Sequence, residues 1–215
     1  MRIQYRRCRT IAEYFLLEYK NNMKPLFYKK DYDIVCRRLQ PELNKLKDNL
    51  DCYQKLVVFL VIGEDHRYYK HIGFDVIGIC RAIYRDLFCG KREGASTIEQ
   101  QLVRVLTEDY RYSIQRKVKE IYLATKLKHI ADKYTLAASY LDLANYGTDL
   151  SGLTSVLGKF GVTLQQDIDD NICAEVVARL KYPEPRRYNA HRMEQIEQRK
   201  NHILRLYKQH YQTRK

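Results

Sequence analysis

Three short stretches concentrate the side chains able to move protons or bind anions. The first is Glu64-Asp65, which directly follows the apolar run Leu56 to Ile62. Charge at such a boundary is costly unless it borders a cleft, and a carboxylate there can serve as a general base or acid. Alone, such a pair is more often a helix-end cap or a surface pair than a catalytic pair. His66 and His71 stand five apart, which is not the spacing that puts two zinc ligands on one helix face. The second stretch is Arg116-Lys117-Val-Lys119-Glu120. Arg116 lies four residues and Lys117 three residues before Glu120, so all three can share a helix face. That spacing favours an ordinary ion pair on a solvated face, worth a few tenths of a kcal/mol; the sharper account is a diphosphate clamp beside a carboxylate. The third is Gly94-Ala-Ser96-Thr97-Ile-Glu-Gln100-Gln101. Two hydroxyls at a helix start and two amides one turn on suit phosphate or sugar oxygens, or simply a well-capped helix. The glycine spacing of a P-loop is lacking.

Helices must position these groups, because strand-like alternation is almost absent. The pattern predicts helices over Phe74 to Phe88, from a Ser96 or Thr97 cap through Leu106, from a Ser113 cap through Ile130, and over Lys133–Leu143, Asn171–Leu180 and Arg192–Tyr207, with Gly90–Gly94 as a loop. The fold class is therefore mainly α. Residues 1–50 read as an N-terminal helical appendage with broken patterns and 51–215 as the main domain. Within the appendage, Ile11 to Leu17 can form a basic amphipathic helix, lying on a membrane or packed on the body.

The chain of 215 residues can bury a real core, and 45% hydrophobic with 30% charged residues excludes collagen-like and disordered classes. Its net charge of +13 attracts polyanions: nucleic acid, anionic lipid or a phosphorylated substrate. No run approaches the roughly 20 apolar residues of a membrane-spanning helix, and Glu13 interrupts the only candidate leader, so none is read. Six cysteines without CxxC spacing suggest neither zinc site nor disulfide framework, but reduced, mostly buried thiols.

In order, Glu64-Asp-His-Arg-Tyr68-Tyr-Lys-His71-Ile-Gly73, Gly94 to Gln101 and Arg116 to Glu120 resemble the first three signature motifs of the family 51 glycosyltransferases. These are the peptidoglycan glycosyltransferases, found as monofunctional enzymes or as the polymerase domain of class A penicillin-binding proteins. Lys133 to Asp142 is similar to the fourth motif, and Ala174-Glu175, Lys181 to Asn189 and Arg199 with Ile203-Leu204 to the closing segment. The likeness runs from Leu56 to about Leu206. Ala138 and Asp142 stand where the fourth motif usually has Glu and Asn, and Tyr68 where the first usually has Phe, marking a divergent member.

The resemblance implies a lysozyme-like helical domain whose membrane-facing jaw corresponds to Phe74–Phe88. It implies polymerisation of lipid II into β-1,4 glycan strands, with inversion and release of undecaprenyl diphosphate. By position, Glu64 is the catalytic base and Glu120 assists at the donor diphosphate. Arg104, Arg116 and Lys117 stabilise the leaving diphosphate. Ser96, Thr97, Gln100 and Gln101 line the donor site, while Asp65, Tyr68 and His71 shape the surroundings of the base. No cofactor is required and no protein metal site is implied, a magnesium or manganese ion at the donor diphosphate being left open. The implied partners are lipid II, the growing glycan chain, an anionic membrane surface and other cell-wall synthesis proteins, with no nucleic acid expected. The implied location is peripheral at the bacterial cytoplasmic membrane, its side open. Competing readings are a glycan-cleaving lytic transglycosylase or lysozyme, which leaves Arg116, Lys117 and Glu120 without a task, and a non-catalytic cell-wall or nucleic-acid binding protein. A metal-binding DxD at Asp167–Asp169 or Asp31–Asp33 would need a sheet-rich fold, and Asp169 or Asp170 is more simply a helix cap.

Overall fold

The apolar run Leu56 to Ile62 becomes the middle of a central helix, where every residue but Val58 is buried. The structure, a computed structural model, describes residues 28–90 and 94–212. Among these, nine α-helices occur: α1 (Lys29–Leu46), α2 (Gln54–Glu64), α3 (Val76–Cys89), α4 (Ile98–Thr107), α5 (Ile114–Leu127), α6 (Lys133–Leu143), α7 (Leu153–Lys159), α8 (Asp170–Lys181) and α9 (Ala190–Tyr207). Extended pairing among them is limited to two isolated bridges, Asn145 with Ser151 and Gly147 with Glu184. The mainly α, lysozyme-like reading stands.

Helix α2 packs against α6, α8 and α9, whereas α4 lies against α1, α5 and α6. The apolar stripes of these helices merge into one core, from Val35 and Leu39 through Leu102 and Leu123 to Val177 and Ile203. Polar side chains start the helices as expected: Thr97 rather than Ser96 caps α4, and Ser113 caps α5. Asp169 caps α8 by accepting the Asn171 N–H at 2.8 Å, which assigns it the structural role.

Three features differ from the expectations. The pattern from Ile34 to Leu46 is unbroken helix, carried through Pro41 because Val35, Leu39 and Leu46 are buried against the body. The short α7 lies in a stretch with no assigned element. Mostly buried thiols are corrected too: of Cys36, Cys52, Cys80 and Cys173, all free, only Cys173 is buried, and Cys80 is exposed because it lies on the poorly covered α3. The proposed helix Ile11 to Leu17 falls outside the described residues.

Helix α3 displays Val76, Ile77, Tyr84, Leu87 and Phe88 to solvent, joined by Tyr69 and Ile72 of the preceding segment. Among the described residues no helix is long and apolar enough to cross a membrane.

Candidate active site

Glu64 closes α2, and both of its carboxylate oxygens are held. Gln101 of α4 donates Nε2–H to Oε2 at 3.2 Å, and Arg199 of α9 donates from Nη2 to Oε1 at 3.1 Å. Behind Gln101, the buried Tyr140 donates its hydroxyl to Oε1 of the amide at 2.7 Å. Burial, then the charge of Glu64, raises the Tyr140 phenol above its ordinary value, so it remains a donor. A cleft beside Glu64 is lined by His66, Asp75, Arg81, Ser96 and Thr97. Burial, and then Arg81, lowers His66 below the usual histidine range.

Asp65 turns to the scaffold. It accepts from His71 Nε2 at 3.0 Å and from the Ile98 N–H at 3.3 Å. Gly73 continues the lock: Thr97 Oγ1 at 2.8 Å and Gln100 Nε2 at 3.3 Å both donate to its carbonyl. Gly73 has φ +106°, and a Cβ there would lie 2.6 Å from the Ala124 backbone, so only glycine lets this loop seat on α5. Tyr68 is fully buried and donates to the Lys133 carbonyl at 2.8 Å, while the Lys133 ammonium sits 4.2 Å from its ring centroid and pairs with Glu99. Asp65, His71 and Glu99 bring three donor atoms within 4.8 Å of one another. Lys133 already supplies a cation to Glu99 there.

The second motif and the third converge on Glu120. Its carboxylate, 1% exposed, takes two hydrogen bonds from Arg104 (Nε 2.8 Å, Nη2 3.2 Å), one from Arg116, and lies 3.6 Å from the Lys117 ammonium. The solvated-face account of Arg116 and Glu120 is therefore wrong: α4 covers the carboxylate, and Arg104 reaches it from there. Lys117 also donates to Ser96 Oγ at 2.9 Å and Gln100 Oε1 at 2.5 Å. Burial, against the pull of Glu120, lowers Lys117 below the usual lysine range. Three cations around one buried carboxylate leave a net positive site suited to a diphosphate.

Helix α4 connects the two centres. Gln101 touches Glu64, and Arg104, three residues on and on the same face, grips Glu120. Thr97 and Gln100 are buried, binding Gly73 and, for Gln100, also Lys117. Sequence reasoning assigned no role to Tyr140 or Arg199. The latter pairs with Glu64 across 135 positions; its match to the closing segment, with Ile203-Leu204, and the small Gly63 beside the carboxylate were the signs available in the sequence.

One helical domain thus holds a carboxylate at a cleft and a cluster of cations around Glu120, linked through α4. The family model described as Transglycosylase matches residues 37–208, and the chain belongs to that family. It is 38% identical over 105 residues to a monofunctional glycosyltransferase of Staphylococcus saprophyticus, covering 48% of this chain and 39% of that protein. Against penicillin-binding protein 1A of Vibrio cholerae it is 40% identical over 90 residues, 41% of this chain and 11% of that protein. A biosynthetic peptidoglycan transglycosylase of Thiobacillus denitrificans is 27% identical over 179 residues, 83% of this chain and 74% of that protein. The matched region thus spans less than half the length of the first two relatives.

Proposed function

We propose that the protein is a peptidoglycan glycosyltransferase that joins lipid II units into β-1,4 glycan strands. Glu64 takes the proton of the acceptor 4-hydroxyl, whose oxygen attacks the anomeric carbon of the growing chain from the face opposite its diphosphate. The glycosidic bond forms with inversion as the bond to undecaprenyl diphosphate breaks. Arg104, Arg116 and Lys117 receive the charge that develops on the leaving diphosphate, and Glu120 keeps the three cations together before substrate arrives. The observation that supports this best is the shared helix: α4 braces the base through Gln101 and the anion site through Arg104.

No resident cofactor enters this scheme. Glu120 is engaged by three protein cations, so a magnesium or manganese ion at the diphosphate would take its oxygens mainly from substrate. Attachment is peripheral at the cytoplasmic membrane, through the apolar face of α3 and the basic surface. A glycan-cleaving reading accounts for Glu64 but gives the buried Glu120 cluster nothing to do. Incubating the purified protein with lipid II in detergent, and separately with purified cell wall, separates the two. Glycan strands on a gel are expected; solubilised wall without strand formation would refute the polymerase.

A further inference from the structure

We propose that Arg199 is the positioning residue that sets Glu64 for proton abstraction, coupling the C-terminal helix α9 to the base. The proposal rests on the polymerase reading and adds a role for a residue that the scheme above does not use. The Arg199 guanidinium donates from one nitrogen, Nη2, both to the Gly63 carbonyl and to Glu64 Oε1. Its side chain is 16% exposed, and its Nε is buried with no hydrogen-bond partner. A buried donor left unsatisfied is costly, and the contacts with the Gly63 carbonyl and Glu64 are what hold the guanidinium in that position.

The backbone is built around this approach. A Cβ on Gly63 would lie 2.7 Å from Val177 Cγ1 of α8 and 3.2 Å from Ile203 Cδ1 of α9. Arg199 and Ile203 are four apart on α9 and share a face, so the absent side chain at 63 admits both against the end of α2. Gln101 holds the opposite carboxylate oxygen. Two donors from different helices, one on each oxygen, fix the carboxylate, and each oxygen keeps a second lone pair for the incoming hydroxyl. Orientation of this kind acts on the chemical step, where a displacement of about 1 Å can cost on the order of 100-fold.

Steady-state polymerisation of lipid II by wild type, Arg199→Ala and Arg199→Lys, with melting curves of each, tests this. For Arg199→Ala kcat should fall about 10- to 100-fold with KM nearly unchanged, the signature of an interaction that matters only in the transition state. Arg199→Lys should fall between, because an ammonium lacks the planar fork. Guanidinium ion should restore part of the rate to Arg199→Ala and none to wild type. Gly63→Ala, whose Cβ would press on Val177 of α8 at 2.7 Å and on Ile203 of α9 at 3.2 Å while keeping the arginine, should show the same loss confined to kcat. Wild-type kcat in Arg199→Ala overturns the proposal, as does a raised KM at unchanged kcat. Should Arg199→Ala fail to fold, full kcat in Arg199→Lys together with Gly63→Ala overturns it equally. Absence of polymer from wild type would instead sink the polymerase reading beneath it.

Discussion

Arg104 and Glu120 meet through two parallel hydrogen bonds, Nε to Oε1 at 2.8 Å and Nη2 to Oε2 at 3.2 Å, joining α4 to α5 within the cluster of cations. Only a planar guanidinium makes this bidentate contact. Arg104→Lys should therefore fold normally yet lose about 10-fold or more in kcat/KM for lipid II. Glu120→Gln removes the anion on which three cations converge, and breaking a buried pair in this way costs about 3–5 kcal/mol. A sharp fall in melting temperature should accompany its loss of activity; unchanged melting would contradict the role given to the buried carboxylate.

Lys133 should be needed for the fold through Glu99. That carboxylate is buried, takes the Lys133 ammonium on Oε1 and has no hydrogen-bond partner on Oε2. Lys133→Met leaves the charge uncompensated and should destabilise by about 3 kcal/mol. Adding Glu99→Gln should recover much of the loss in thermal melts, and equal melting of single and double variants would refute the coupling.

Stability should depend on pH through Glu42 and Asp142. Asp142 accepts from Lys45 at 2.6 Å and from the Tyr53 hydroxyl at 2.7 Å. Burial, then the hydrogen bond and charge of Asp142, push Glu42 from 4.5 up to about 7. A raised folded value means that the native state holds the proton more tightly. The stabilisation is complete below about pH 4.5 and is lost as pH rises through about 7. Relative to Glu42→Gln, wild type should lose on the order of 1 kcal/mol, a few kelvin in Tm, between pH 5 and pH 8. Asp142→Asn should flatten that difference, whereas parallel curves for all three proteins would contradict it.

Vesicle binding should depend on the end of α3. Leu87 and Phe88 are each 72% exposed, and Phe88 lies against Tyr84 in a tilted ring pair with centroids 4.9 Å apart. Replacing both with Ser removes apolar area that would enter the interface and should weaken binding to phosphatidylglycerol vesicles several-fold. Co-sedimentation equal to wild type would place membrane contact elsewhere.

Local patterns in the chain were enough to reveal the candidate site's own residues but not their bracing. The Leu56–Ile62 run followed by Glu64, the Ser96 or Thr97 cap, and the spacing that puts Arg116, Lys117 and Glu120 on one face are short-range features, and each produced its helix or its pairing. Whether Glu120 faced solvent was not legible, because its burial depends on α4 rather than on its own helix. Arg199 reaching Glu64, Tyr140 backing Gln101, and Lys45 with Tyr53 on Asp142 join positions 39 to 135 apart. Such pairings follow from how whole helices pack, which periodicity within one helix does not specify. Helix α1 was obscured by Pro41, a helix breaker overridden by burial of the stripe around it.

The most direct measurement is the rate of glycan-strand formation from lipid II by Glu64→Gln beside wild type, with lipid II binding measured for both. Removal of the base while the Arg104, Arg116 and Lys117 site stays intact should leave binding within about twofold and slow polymerisation by on the order of 100- to 10,000-fold. Polymerisation by Glu64→Gln at the wild-type rate would show that Glu64 is not the base and that the proton leaves by another route.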